Sequence, residues 1–321
     1  LTTKTFSVII DSSDPEIIKT TQNKEKAMTA QIIDGKAIAE EIRREVGEGV
    51  AELLASGKPR PGLATVLVGE RPDSAQYVRT KQKTCAELGM ESFGYHLEAN
   101  ATQEEVENLV RQLNADPAVN GILVQLPLPS HLDEESVLRQ ISLEKDVDGF
   151  HPINIGRLAQ KGRDPLFVPC TPMGCIVMLK KLGVKLEGAN AVVLGRSNIV
   201  GMPVALLLVR ENATVTICHS RSKDLPGIVR QADVLIAAVG RARMVKGDWV
   251  KPGAVVIDVG INQIEDPTHP KGRRMVGDVD FEQVKEVASA ITPVPGGVGP
   301  MTIALLMQNT LRAAKLAHGL I

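Results

Sequence analysis

The chain has 321 residues, of which 43% are hydrophobic and 23% charged, with a formal net charge of -1. That length and apolar content suit one large or two modest domains, each with its own core. The balanced charge gives no surplus of Lys and Arg for nucleic acid, and aromatics at 2% offer no base-stacking surface.

Residues 1–27 hold Asp11, Asp14, Glu16 and Glu25 and no Arg. A transit peptide is Arg-rich and poor in acid, and a signal peptide needs a longer apolar centre. We expect a poorly ordered extension ahead of a body that reads like a protein start at Met28. An unusual targeting segment is the alternative. No uninterrupted apolar run is long enough to cross a bilayer, so no membrane span is expected, and the four cysteines, read as reduced thiols, suit a cytoplasmic protein.

From Gly35 to Leu54, apolar Ile38, Ile42, Val46, Val50 and Leu53 recur at helical spacing. Leu63 to Val68 predicts a strand ending at Gly69. A helix is predicted from about Ser74 to Leu88, closed by Gly89, and another from Glu104 to Leu113. Ile122 to Leu126 predicts a strand stopped by Pro127 and Pro129. After a loop expected around Thr171-Pro172, strands are predicted at Ala191–Leu194, Thr214–Cys218, Val234–Val239 and Ala254–Val259, with helices between them. The last helix is predicted from Met301 to Ala317, with Pro300 in its first turn.

Alternating strands and helices imply parallel sheets and a two-domain α/β fold. One part is an α/β catalytic domain over residues 28–149 plus 299–321. The other is a Rossmann-like, parallel-sheet nucleotide domain over 150–298, and the C-terminal helix returns to the first.

Gly195-Arg-Ser-Asn-Ile-Val-Gly201 falls between a predicted strand and helix. Gly195 allows a tight turn, Gly201 close packing, and the helix N-terminus draws an anion. Ser197 stands where the dinucleotide fingerprint has its second Gly. Taken alone, the loop fits a plain strand–helix turn about as well. Its place at the head of a second βαβ series favours a nucleotide. The next strand ends in Cys218-His-Ser-Arg221, with none of the acid that holds a 2′-hydroxyl. Arg196 and Ser220 suit a 2′-phosphate, hence NADP, although outside this fold context simple solvation is the favoured explanation of both.

On the Ser74 helix, Ser74, Tyr77, Lys81, Cys85 and Leu88 share one stripe, while Lys83 points elsewhere. The stripe fits a snorkelling Lys beside a packed Tyr, or a Lys in a cleft, tuned for acid/base work. Gln125, between apolar neighbours, is a structural hydrogen-bonder or a ligand contact. Asp148, in Lys145-Asp-Val-Asp-Gly149, lacks the further acids of a calcium loop and otherwise reads as a turn. Cys85, Cys170, Cys175 and Cys218 form no CxxC pair and no zinc spacing, so we expect reduced thiols and no metal.

These pieces together resemble the FolD family of methylenetetrahydrofolate dehydrogenase/cyclohydrolases, over nearly the whole chain from Ala30 to Leu320. The resemblance is carried by Ser74-Ala-Gln-Tyr-Val-Arg-Thr-Lys81, Gly121–Pro129, Lys145–Gly149, Pro169-Cys-Thr-Pro172, Gly195–Pro203, Asp258-Val-Gly-Ile-Asn262 and Thr292–Thr302. It implies a catalytic Lys81, a folate-stacking Tyr77, and Gln125 and Asp148 as partners. It implies cofactor contacts at Gly195, Arg196, Ser197, Ser220 and Ile261. It further implies NADP as cofactor, tetrahydrofolate derivatives as substrates, and a homodimer. A Rossmann dehydrogenase with another substrate would leave Tyr77, Lys81, Gln125 and Asp148 unaccounted for. A non-catalytic folate or nucleotide binder would have no need of the Lys81 amine.

Overall fold

The computed structural model describes residues 29–269 and 272–321, so the expectation for residues 1–27 lies outside the described residues. The chain runs β1 (Gln31–Ile32), α1 (Gly35–Ala55), β2 (Gly62–Val68), α2 (Pro72–Glu87), β3 (Glu91–Leu97), α3 (Gln103–Ala115), β4 (Gly121–Val124) and α4 (Glu134–Gln140). It continues with α5 (Pro152–Leu158), α6 (Cys170–Lys181), β5 (Asn190–Leu194), α7 (Gly201–Arg210), β6 (Thr214–Cys218), α8 (Leu225–Val229), β7 (Val234–Ala237) and β8 (Val255–Asp258). The hairpin β9 (Asn262–Glu265) and β10 (Arg273–Val276), then α9 (Phe281–Val284), β11 (Ala290–Ile291) and α10 (Val298–Ala317), complete it.

Two parallel sheets result. A three-stranded sheet has the order β3-β2-β4, and a six-stranded sheet the order β1-β11-β8-β7-β5-β6. All seven residues of β2 are buried, as a central strand covered on both faces requires. Val106, Val110 and Leu113 of α3 pack with Ala64, Val66, Ile122 and Val124 on one face of the small sheet. Helix α10 packs against α1 and α6 and joins the two lobes through one core that includes Leu63, Leu123, Met178, Val193 and Met301. Leu63 has no exposed surface, and its truncation to Ala would cost about 2–5 kcal/mol.

Helix α1 starts where Asp34 Oδ1 accepts hydrogen bonds from Lys36 N and Ala37 N, at 3.0 and 3.1 Å. Helix α2 starts with Pro72 and is followed by Gly89 at φ +76°, the left-handed conformation that ends a helix.

Three expectations are corrected. The strand expected to run to Leu126 ends at Val124. Gln125 adds one more ladder bond, N to Val66 O at 2.8 Å, and the prolines beyond it end the pairing. Thr171 and Pro172 lie inside the first turn of α6 rather than in a loop, because a first-turn proline sacrifices no intrahelical bond. Val239 and Val259 fall just past β7 and β8, in loops at the C-terminal edge of the large sheet.

Candidate active site

Helix α2 buries the stripe of Ser74, Val78, Lys81, Thr84 and Cys85, with Tyr77 half-buried on the same side and Lys83 exposed. One turn apart, Lys81 Nζ lies 4.6 Å from the centre of the Tyr77 ring. Lys81 is only 4% exposed, so its ammonium needs partners. Its Nζ donates to Gln125 Oε1 at 3.1 Å, and Gln125 Nε2 donates to Leu126 O at 2.7 Å. The second bond fixes which end of the amide faces the lysine. Gln125 thus stands just beyond the C-terminal end of β4, where parallel sheets present ligand groups.

Burial lowers the Lys81 pKa from its ordinary value near 10.5, against the opposing pull of Asp148. Burial likewise raises the Asp148 carboxyl above its usual range, opposed by the charge of Lys81. The two titrate as a coupled pair. Burial pushes the Tyr77 phenol well above 10, so it stays neutral, and its hydroxyl donates to Gly299 O at 3.4 Å.

The turn that carries Asp148 is held on both sides by its neighbours. Asp146, 2% exposed, accepts from Phe150 N, His151 N and Asn154 Nδ2 at 3.1, 2.8 and 2.7 Å. Burial pushes Asp146 up to about 7. Gly149 sits at φ +79°, and a Cβ there would stand 2.5 Å from Pro169 N. Val147 O accepts from Asn309 Nδ2 at 2.8 Å and from the Cys170 thiol at 3.4 Å. Burial holds the Cys170 thiol far above its usual range, which leaves it a packed thiol rather than a nucleophile. Asp146, Cys170 and Asn309 were not foreseen. Asp146 shares a motif with Asp148, but the other two reach it only through tertiary packing.

At the large sheet, Gly195 follows β5 at φ +119°, and its N donates to Cys218 O at the end of β6. A Cβ on Gly195 would lie 2.1 Å from Ala238 O, and one on Gly201 would lie 2.3 Å from Gly195 O. Both positions therefore demand glycine. Ser197 Oγ accepts from Val200 N and Gly201 N at 3.2 and 3.3 Å, so the serine in place of the second glycine ties the turn to the start of α7. Arg196 and Ser220 are exposed beyond β5 and β6, and Ile261 is exposed beyond β8. Gly195, Arg196, Ser197, Ser220 and Ile261 all lie just past the C-terminal ends of β5, β6 and β8, along one edge of the large sheet. Among the described residues, no group of three or more His, Cys, Asp or Glu is arranged to hold a metal, and all four cysteines are free and buried.

A glycine turn on a parallel sheet, with a buried amine in a second lobe, defines a two-domain α/β dehydrogenase. Family models narrow the class. The catalytic domain of tetrahydrofolate dehydrogenase/cyclohydrolase matches residues 33–148, and the NAD(P)-binding domain of the same enzyme matches residues 169–318. The chain belongs to the tetrahydrofolate dehydrogenase/cyclohydrolase family and carries its two activities, as the resemblance to FolD implied. It is 56% identical to "Bifunctional protein FolD 4, chloroplastic" of Arabidopsis thaliana, over 96% of this chain and 86% of that protein. It is 57% identical to Bifunctional protein FolD 2 of the same plant, over 91% and 97%. The structure of Trypanosoma brucei FolD, complexed with NADP cofactor and inhibitor, aligns with a TM-score of 0.87 at 45% identity, covering 90% of this chain and 98% of that one.

Proposed function

We propose that Lys81, held by Gln125 and flanked by Tyr77 and Asp148, serves the hydrolytic half of a two-step conversion. The chain oxidises 5,10-methylenetetrahydrofolate to 5,10-methenyltetrahydrofolate with NADP, then hydrolyses that product to 10-formyltetrahydrofolate. The observation that carries our assignment is a buried amine with a lowered pKa, hydrogen-bonded to a fixed amide at the end of β4.

Gly195, Arg196, Ser197 and Ser220 would hold NADP, which would supply a hydride acceptor for the bridging carbon of the substrate. Loss of the hydride leaves a delocalised cation, so the residues around it need to align rather than accept a proton. Tyr77 offers a flat face to the substrate rings, and Asp148 offers two acceptor oxygens to the donor edge of the pterin. Hydration does need proton transfer. Water bonds through oxygen to the cationic carbon, and one proton passes to the neutral Lys81 amine. The bond from that carbon to N5 then breaks. The second water proton ends on N5, the formyl group stays on N10, and Lys81 returns its proton to solvent.

For the cofactor, Arg196 and Ser220 are assigned to the 2′-phosphate and Gly195 and Ser197 to the phosphate turn, with Ile261 beside the far half. The exposed charge of Arg196 and the lack of an acid in Cys218–Arg221 support this reading. We assign residues 28–149 and 299–321 to the folate lobe and 150–298 to the cofactor lobe, except that β1 (Gln31–Ile32) pairs with β11 and so extends the cofactor-lobe sheet. Tyr77 reaching Gly299 at the start of α10 supports that return of the chain. A homodimer is supported by β6, an edge strand with exposed Thr214, Thr216 and Ile217 that a second copy could cover.

Among the described residues, no helix is long and apolar enough to cross a membrane. We read the enzyme as cytoplasmic because residues 1–27 hold no Arg and balance Asp11, Asp14, Glu16 and Glu25 against Lys4, Lys19, Lys24 and Lys26, unlike the Arg-rich, acid-poor composition of a transit peptide. The relative named chloroplastic matches over 96% of this chain, against 91% for FolD 2, which favours a plastid as the second reading. Imaging of fluorescent fusions with and without residues 1–27 decides between them.

The function is tested by mixing the protein with methylenetetrahydrofolate and NADP. NADPH should appear with a methenyl absorbance that then decays. NADPH without any decay faster than in buffer would remove the hydrolytic half.

A further inference from the structure

At the cofactor edge two buried carboxylates sit side by side. Asp258 ends β8 and is 3% exposed, and Asp278, just after β10, has no exposed surface. Asp278 Oδ2 accepts from Val239 N and Gly240 N at 2.6 and 2.9 Å. Its Oδ1 accepts from Arg241 N and Asn262 Nδ2 at 2.8 and 2.9 Å. Asp258 in turn accepts from Gly260 N, Asp278 N and Val279 N at 3.0, 2.9 and 2.9 Å. The backbone is shaped around them. A Cβ on Gly260 would lie 2.3 Å from the Asp278 carboxyl group, and one on Gly277 would lie 1.8 Å from Asp258 Oδ2.

Two buried carboxylates cost far more to desolvate than apolar side chains of the same volume, so packing alone does not explain them. What they bind together is specific. Val239–Arg241 follow β7 and Gly260–Asn262 follow β8, and these strands are neighbours in the sheet. The phosphate turn follows β5, and Arg196 and Ser220 lie on the β5–β6 side. A dinucleotide with its 2′-phosphate there has its other half across the ends of β7 and β8.

We infer that Asp278 is a positioning residue for the nicotinamide half of the cofactor, acting through the amides of Val239–Arg241 and the Asn262 side chain, with Asp258 fixing Asp278. The motif Asp258-Val-Gly-Ile-Asn262 then has a physical reason. Its Asp orients the second carboxylate, its Gly makes room for it, and its Asn binds it beside Ile261. The inference rests on this edge being the NADP site.

The test uses the full-length protein with Asp278→Asn, which keeps the shape but turns an NH2 toward N–H donors. Calorimetry gives the affinities for NADP and for 2′,5′-ADP, which carries only the adenosine half. Methenyl absorbance gives hydrolysis, which uses no cofactor. The Kd for NADP should rise about tenfold or more, as the loss of charge-assisted bonds implies, while 2′,5′-ADP affinity and hydrolysis stay near normal. Unchanged NADP affinity would overturn the inference. So would equal losses of NADP affinity, 2′,5′-ADP affinity and hydrolysis, the pattern of general damage to the fold. Should that variant not fold, Asn262→Ala removes a single donor. It should weaken NADP by about threefold or more and spare 2′,5′-ADP, and either unchanged NADP affinity or equal losses overturns the inference again. Arg196→Ala, run in parallel, should weaken 2′,5′-ADP. If it does not, the reading of the edge falls, and this inference with it.

Discussion

In the folate lobe, Lys81 is 4% exposed and meets Gln125 and Tyr77 inside the protein, whereas at the cofactor edge Arg196, Ser197 and Ser220 all stand in solvent. The difference follows from the work each set is assigned. Moving a proton near neutral pH needs an amine whose pKa burial has lowered, and burial demands fixed partners. Holding a phosphate group that arrives with its own charge needs an accessible guanidinium and a shaped turn. The turn itself is tightly packed, since Gly195 and Gly201 leave no room for a Cβ. On this assignment the proton-transfer amine is buried and the phosphate contacts are exposed, and substitutions at the two should separate the two activities.

The largest separation is expected from Lys81→Met, which keeps side-chain length but removes the amine. Hydrolysis of methenyltetrahydrofolate should fall by about two to four orders of magnitude, the usual contribution of a positioned acid/base group. Oxidation should fall less, and calorimetry should still detect folate binding. Hydrolysis at the unmutated rate would transfer the proton role to a water held by Gln125 or Asp148.

A smaller effect is expected from Arg196→Ala. Preference for NADP over NAD should drop by about 1.5–3 kcal/mol, the worth of a hydrogen bond to a charged group. Comparing kcat/KM for the two cofactors measures it, and equal efficiencies in the unmutated protein would refute the 2′-phosphate assignment.

Asp148→Asn sharpens the contrast through pH. Asp148 raises the Lys81 pKa, so its removal lowers that pKa further. Hydrolysis requires the neutral amine, so kcat should climb with pH through a limb below the ordinary lysine value of about 10.5. In Asp148→Asn the limb should move to lower pH, and an unmoved limb in saturating substrate would break the coupling. The smallest effect is expected at Lys83, which is exposed on the far side of α2. Lys83→Met should leave both rates near normal, and a large loss in either would show that position along the helix, rather than burial, matters.

How much of this was legible in the sequence depended on period and distance. Helices α1 and α2 announced themselves by apolar spacing and by Gly89, and the four-residue step from Tyr77 to Lys81 placed both on one face. Strands β1 and β11 have two residues each, too few to show a period. Strand β3 is a half-exposed edge interrupted by Gly94, so its apolar signal is diluted. The start of α6 was hidden by Pro172, which reads as a breaker unless the first turn is known. Asp148 looked like a turn residue, and only the resemblance gave it a role. Its supports Cys170 and Asn309 come from α6 and α10. The Asp258–Asp278 pair was invisible for the same reason, because the hairpin β9–β10 must fold before the two meet.

The division of labour between the lobes is tested most directly by the ratio of hydrolysis to NADP-dependent oxidation in Lys81→Met and Arg196→Ala side by side. The account expects the ratio to fall by at least about tenfold in the first variant and to rise in the second, because each substitution strikes one function and largely spares the other. A ratio that stays at the unmutated value in both would contradict it, since burial in one lobe and exposure in the other would then have separated nothing.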